Sequence, residues 1–173
     1  MNWYKIAKKE CEGWVAVRLS QRPSKKIISW GKDNIPNSIL CKEEGHGREL
    51  DIHITVIYGV CDNSVEDVKD IAKKYKSIKA KLGKVGYFKK SSDFDVVKIE
   101  IISEDLRRLH EDIKRKLDVT ESFPKYQPHC TIAYVQKGEA VTFAGDNFME
   151  GTEITFDKIV FINDKDEEFE IKL

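Results

Sequence analysis

No stretch of this chain is apolar for long enough to span a membrane, and Met1 to Lys9 lacks the apolar centre of a signal peptide. A cytoplasmic location is therefore expected. The four cysteines, Cys11, Cys41, Cys61 and Cys130, include no C-x-x-C pair, and Cys130 falls in an apolar segment that reads as a buried strand. A disulfide framework is not expected, in keeping with a reducing compartment. A zinc site drawn from Cys41, His46, Cys61 and a further histidine lacks supporting spacing, so no metal or other cofactor is expected. Low-complexity segments and linkers are also missing, and residues 1–173 read as a single domain. Net charge is absent too: 30 basic residues balance 30 acidic ones. That balance argues against tight, non-specific binding of long nucleic acid, which depends on neutralising phosphates. A small nucleotide remains compatible with it.

What is present describes a folded protein. At 173 residues, with 40% hydrophobic and 35% charged side chains, the chain can bury a proper core. Charge is unevenly spread. Nine lysines and one acid, Asp70, lie between Lys69 and Lys90, whereas nine acids and three lysines lie from Asp146 to Leu173. The lysine run reads as a solvated helix face and strand edge.

Trp14 to Leu19 is short and valine-rich and predicts a first strand. Ser24 after Pro23 predicts a helix start, with Ile27 and Trp30 one turn apart and Gly31 at the exit. From Lys32 to Leu50 periodicity is lost, and a loop of this length is expected to form a wall or lid over a site. Ser64 and Asp67 resemble a capping box before a helix whose stripe is Val65, Val68, Ile71, Ala72 and Tyr75. Ile78 to Tyr87 alternates through a phase shift at Gly83, predicting a strand with a bulge. Lys89 to Asp93 is a polar turn, and Val97, Ile99 and Ile101 mark the partner strand. Ser103 caps the next helix, with Leu106, Leu109, Ile113 and Leu117 on its buried side and His110 on its flank. Phe123-Pro124 and Tyr126 lie in a second loop, Asp118 to Pro128. The chain closes with Ile154 to Ile162, a turn at Asn163-Asp164, and Phe169 to Ile171. This order predicts an α+β fold built from two similar halves with antiparallel pairing.

One pattern occurs twice. His53-Ile54-Thr55-Val56-Ile57-Tyr58 is matched 76 residues later by His129-Cys130-Thr131-Ile132-Ala133-Tyr134. On a strand, residues two apart share a face, so each histidine stands beside its threonine. By the same alternation Tyr58 and Tyr134 point the other way, and both read as structural. One His-x-Thr is weak evidence, and buried strand histidines are often core residues. A matched pair, each entered from an irregular loop, is far more specific. Cleaving a phosphodiester beside a 2′-hydroxyl needs a base for that hydroxyl proton and an acid for the departing 5′-oxygen. Histidine can serve in either role near neutral pH. A threonine hydroxyl beside each ring supplies a donor to the phosphoryl oxygens.

The paired motifs resemble those of the two-histidine (2H) phosphoesterase superfamily, whose bilobal α+β fold lines a central cleft with both motifs. The stretches Gly47-Arg48-Glu49 with His53 to Gly59, and Pro128 to Val135, are most similar to the phage anti-CBASS phosphodiesterases. These degrade the cyclic di- and trinucleotide second messengers of bacterial defence. The resemblance implies two pseudo-symmetric antiparallel sheets with flanking helices. It also implies metal-independent hydrolysis of 3′-5′ bonds in the cytoplasm of an infected host. By resemblance His53 and His129 are acid and base in an order the sequence leaves open, and Thr55 and Thr131 hold the phosphate. Trp14, Tyr126 and Phe148 are the expected base-contacting residues, while His46 reads as facing water. Two alternatives stay open: an RNA 2′,3′-cyclic phosphodiesterase or 2′-5′ ligase, and a module that sequesters cyclic nucleotides without cutting them.

Overall fold

The computed structural model describes residues 11–43, 45–61, 64–89, 93–120 and 125–173. The expected Phe123-Pro124 element and most of the turn from Lys89 to Asp93 lie outside the described residues. Among the described residues eight strands and three α-helices follow one another: β1 (Gly13–Arg18), α1 (Gln21–Asn34), β2 (His53–Val60), α2 (Val65–Ala72), β3 (Ile78–Phe88), β4 (Phe94–Ile102), α3 (Glu104–Lys116), β5 (His129–Gln136), β6 (Glu153–Phe156), β7 (Lys158–Ile162) and β8 (Glu168–Lys172). All pairings among the strands are antiparallel.

The α+β class and the two halves agree with expectation, but the two expected sheets are halves of one. The strand order is β6-β3-β4-β5-β2-β1-β7-β8, and β5 joins β2 through the single pair Ile54↔Cys130. Beyond that pair the two strands part, and each bare edge is closed by a loop. Residues from the loop after α1 pair with β5 at Leu40↔Val135 and Arg48↔Ala133, and Val119 pairs with Val60 on β2. The loop after α1 is therefore a wall along a strand rather than a lid. Arg48 secures it by donating to the carbonyls of Gly31 and Ile35 and to Asn37 Oδ1.

One continuous core lies on one sheet face. Val15, Val17, Ile54, Val56, Ile132, Val97 and Ile99 of the strands meet Ile27, Val68, Ile71, Leu106, Leu109 and Ile113 of the helices there. Helix α1 starts earlier than Ser24 suggests, with Ser20 at the cap position and Pro23 in the first turn, where a missing N–H is tolerated. Gly31 lies inside this helix instead of ending it. A Cβ there would stand 3.0 Å from Ile132 Cγ2, so its absence lets α1 approach β5. Ser103 caps α3 as expected, its Oγ accepting from Leu106 N at 3.1 Å. The register shift in β3 between Leu82 and Val85 matches the bulge expected at Gly83. The segment from Ile154 to Ile162 is broken at Asp157, because β6 pairs with β3 in one half and β7 with β1 in the other.

The cysteines correct the sequence reading. Cys11 and Cys61 form a disulfide, while Cys41 and Cys130 are free. Gly13 pairs with Val60, so the ends of β1 and β2 bring together two cysteines 50 residues apart. With Cys61 so bonded, the zinc set drawn from the sequence is dismantled.

Candidate active site

The pair Ile54↔Cys130 organises the site. Both side chains are fully buried on the helix-covered face, so their neighbours His53, Thr55, His129 and Thr131 project from the opposite, open face. Continuing the antiparallel register sets His53 across from Thr131 and Thr55 across from His129. The two histidines are then diagonal neighbours across the join of the two strands. All four expected catalytic residues are thus brought together, each half-buried.

Both rings are held the same way. His53 Nδ1 lies 2.7 Å from the carbonyl of Asp51, and His129 Nδ1 lies 2.7 Å from the carbonyl of Gln127. A carbonyl only accepts, so in each ring Nδ1 carries the proton and donates. That leaves Nε2 as the nitrogen whose protonation can change. Arg18 ties the Asp51 side chain down at 3.1 Å, steadying the turn that orients His53. The Cys130 thiol, between His129 and Thr131 in sequence, faces the core, and burial pushes its pKa far upward, leaving it inert.

A bulge in each motif strand changes what else faces the site. Ala16 pairs with Thr55 but Val15 pairs with Ile57, leaving Val56 as an extra residue. Likewise Lys98 pairs with Thr131 but Val97 pairs with Ala133, leaving Ile132 extra. Each bulge turns two successive residues toward the core and reverses the alternation beyond it. Tyr58 and Tyr134 therefore stand on the open face, correcting the reading that set them behind the strand. Tyr58 is 52% exposed and lies opposite Trp14. Burial raises the pKa of Tyr134, Glu49 adds to the rise, and the neighbouring Thr131 side chain opposes it. His46 does not simply face water: its ring packs 4.8 Å from Phe94 and 4.7 Å from Tyr134.

The three expected base-contacting residues separate. Trp14 lies on the open face with its ring 5.3 Å from that of His53. Tyr126 stacks on the fully buried ring of His110 at 4.2 Å and donates its hydroxyl to the carbonyl of Thr55 at 2.9 Å. It serves β2 rather than the cleft. Phe148 stacks on Trp30 of α1 at 4.8 Å, in a ring cluster on the helix-covered side. Sequence reading missed Phe88, whose ring meets the His129 ring edge-on at 4.8 Å. It also missed Lys98 and Glu100, which β4 sets opposite Thr131 and His129. Extending the strand alternation outward from β5, to β4 for Lys98 and Glu100 and on to β3 for Phe88, is the signal that finds them. His110, without a visible partner in sequence, donates from Nδ1 to the carbonyl of Val56 at 2.8 Å and so pins the bulge. Among the described residues, no three histidine, cysteine or acidic side chains converge to hold a metal ion.

Solved structures share this architecture across nearly the whole chain. TT0787 of Thermus thermophilus has a TM-score of 0.62 at 16% identity, covering 94% of each chain. LigT of E. coli, solved with phosphate, has a TM-score of 0.58 at 15% identity, covering 95% of each. Usb1 of Kluyveromyces marxianus, solved with uridine monophosphate, has a TM-score of 0.54 at 10% identity, covering 95% of this chain and 99% of the other. At such identities the likeness shows the fold alone, that of the 2H phosphoesterases. No curated protein matches in sequence. The model of one family, described as anti-CBASS protein Acb1, matches residues 13–170, which contain both bulged motif strands and the strands flanking them, and this chain belongs to that family.

Proposed function

We propose that the open face is the active site of a metal-independent phosphodiesterase that hydrolyses 3′-5′ bonds of cyclic di- and trinucleotide second messengers, countering CBASS defence. Membership of an anti-CBASS family supports the biological role. One observation carries the chemistry: two histidines, each fixed through Nδ1 on the carbonyl two residues before it, present Nε2 beside paired threonines on one sheet face.

In this reading one neutral histidine takes the proton of the 2′-hydroxyl through Nε2 as that oxygen attacks phosphorus. The other, protonated, gives a proton to the departing 5′-oxygen. The O2′–P bond forms, the P–O5′ bond breaks, and water then opens the 2′,3′-cyclic phosphate with the two roles reversed. Thr55 and Thr131 hold the phosphoryl oxygens. Trp14, and Phe88 on the other half, offer ring faces to bases. The phosphate and uridine monophosphate in the related solved structures are in keeping with a nucleotide phosphate as ligand.

The test is turnover of a cyclic dinucleotide, a cyclic trinucleotide and a 2′,3′-cyclic nucleotide, each with chelator present. Cutting of the cyclic oligonucleotides is expected. Loss of activity with chelator would sink the metal-free mechanism. Cutting of the 2′,3′-cyclic nucleotide alone would favour the RNA-processing alternative, and binding without turnover would favour a sequestering module.

A further inference from the structure

The two motif strands match one another, but the strands flanking them do not. β1 sets Ala16 opposite Thr55 and Arg18 opposite His53. β4 sets Lys98 opposite Thr131 and Glu100 opposite His129. The charge of Arg18 is met by Asp51 at 3.1 Å and by both carboxylate oxygens of Glu168. Lys98 is matched far less well. Its side chain is 6% exposed, and its ammonium lies 3.5 Å from a Glu100 carboxylate that is itself 60% exposed. A carboxylate so far in water offsets little of the cost of burying a cation.

The surroundings hold that cation in place. Nζ lies 4.4 Å from the centre of the Phe88 ring, and Phe88 in turn packs against His129. Opposite Lys98 on β3 is Gly86, where a Cβ would stand 3.4 Å from Nζ and 3.0 Å from Glu100 Oε1. The missing side chain makes room for the ion pair. Burial lowers the pKa of Lys98, and Glu100 partly opposes that shift. On the Thr55 side the matching position is the buried methyl of Ala16.

We propose that Lys98 makes the Thr131 half the anion-holding half of the site, its ammonium balancing the non-bridging oxygens of a phosphodiester held by Thr131. This rests on the phosphodiesterase reading above and gives its twin motif a polarity. Lys98 acts as a positioning residue, through its field on a phosphate at Thr131 rather than as acid or base. The negative charge on the phosphoryl oxygens grows in the transition state, so the amine contributes more to turnover than to binding.

The test compares wild type, Lys98→Met and Lys98→Arg in three measurements. These are thermal unfolding, binding of inorganic phosphate, and turnover of a cyclic dinucleotide. Met nearly conserves volume, so the unfolding midpoint of Lys98→Met should stay level or rise. Its phosphate affinity should fall about tenfold, and its kcat about 100-fold with a smaller change in KM. Lys98→Arg should recover most of both losses. A Lys98→Met protein that unfolds earlier yet binds phosphate and turns over like wild type overturns the proposal, leaving Lys98 a packing residue. Absent turnover in wild type would defeat the phosphodiesterase reading, and the phosphate measurement would then decide the anion site by itself.

Discussion

Tyr126 separates two accounts of how this molecule handles the second motif's entry loop. Its hydroxyl donates to the carbonyl of Thr55 at 2.9 Å, and its ring stacks on His110, whose Nδ1 donates to the next carbonyl, Val56, at 2.8 Å. Together they grip the two peptide units at the β2 bulge, which puts Thr55 on the open face and Val56 in the core. Tyr126→Phe keeps the ring and removes only the donor, leaving the Thr55 carbonyl without it. The expected cost is about 1–2 kcal/mol, a fall in unfolding midpoint of about 2–8 °C for a chain of this size. His110→Leu removes the second donor and the stack, for about 2–3 kcal/mol. Because the residues share one bulge, the double variant should depart from additivity by at least about 0.5 kcal/mol. A displaced threonine should slow kcat about tenfold with little change in KM. Urea unfolding and steady-state kinetics measure these quantities. A Tyr126→Phe protein as stable as wild type, together with a Tyr126→Ala protein raised in KM alone, would refute this account and restore Tyr126 as a base platform.

Two further predictions concern stability. Asp95 is buried, which pushes its pKa up, but hydrogen bonds from Lys137 and the Gly138 N–H and the charges of Lys137 and Lys89 outweigh this and hold it below the usual carboxylate range. A depressed carboxylate stabilises the fold above its unfolded pKa, and that contribution is lost as pH falls through the folded value. Asp95→Asn should therefore lower the urea midpoint at pH 6, and the gap from wild type should close progressively below about pH 4. The Cys11–Cys61 disulfide closes a separation of 50 residues, worth up to about 4 kcal/mol by chain entropy. Thiol titration of the unfolded, unreduced protein should find two free thiols, and reduction should lower the urea midpoint while leaving the histidine geometry, and hence turnover, intact.

Much of the site was legible because strand alternation and the repeated His-x-Thr are both local patterns. His53, Thr55, His129 and Thr131 share a face because residues two apart must, and the twin spacing implied two matching halves. The tyrosines failed for a definite reason. A bulge adds one residue to a strand, and Val56 and Ile132 carry no mark distinguishing them from ladder residues, so alternation counted past them assigns the wrong face. Tyr126 and Phe148 failed otherwise: an aromatic in a loop can reach a cleft or a core, and only the packing of His110 and Trp30 decides which. Lys98 carries no local mark of its role, since its burial depends on Phe88 and Gly86 across a hairpin. The disulfide was hidden because the pairing of Gly13 with Val60, not any spacing motif, brings its cysteines together.

In the proposed mechanism His53 and His129 divide acid and base work at one phosphate. The most direct measurement is the pH dependence of kcat/KM for wild type, His53→Ala, His129→Ala and the double variant, each shown folded by circular dichroism. A bell is predicted for wild type. Each single variant should lose one limb of it and about 10³-fold or more in rate, and the double variant should lose little beyond that, as residues acting as a unit do. A single variant that keeps both limbs and the wild-type rate would contradict the account.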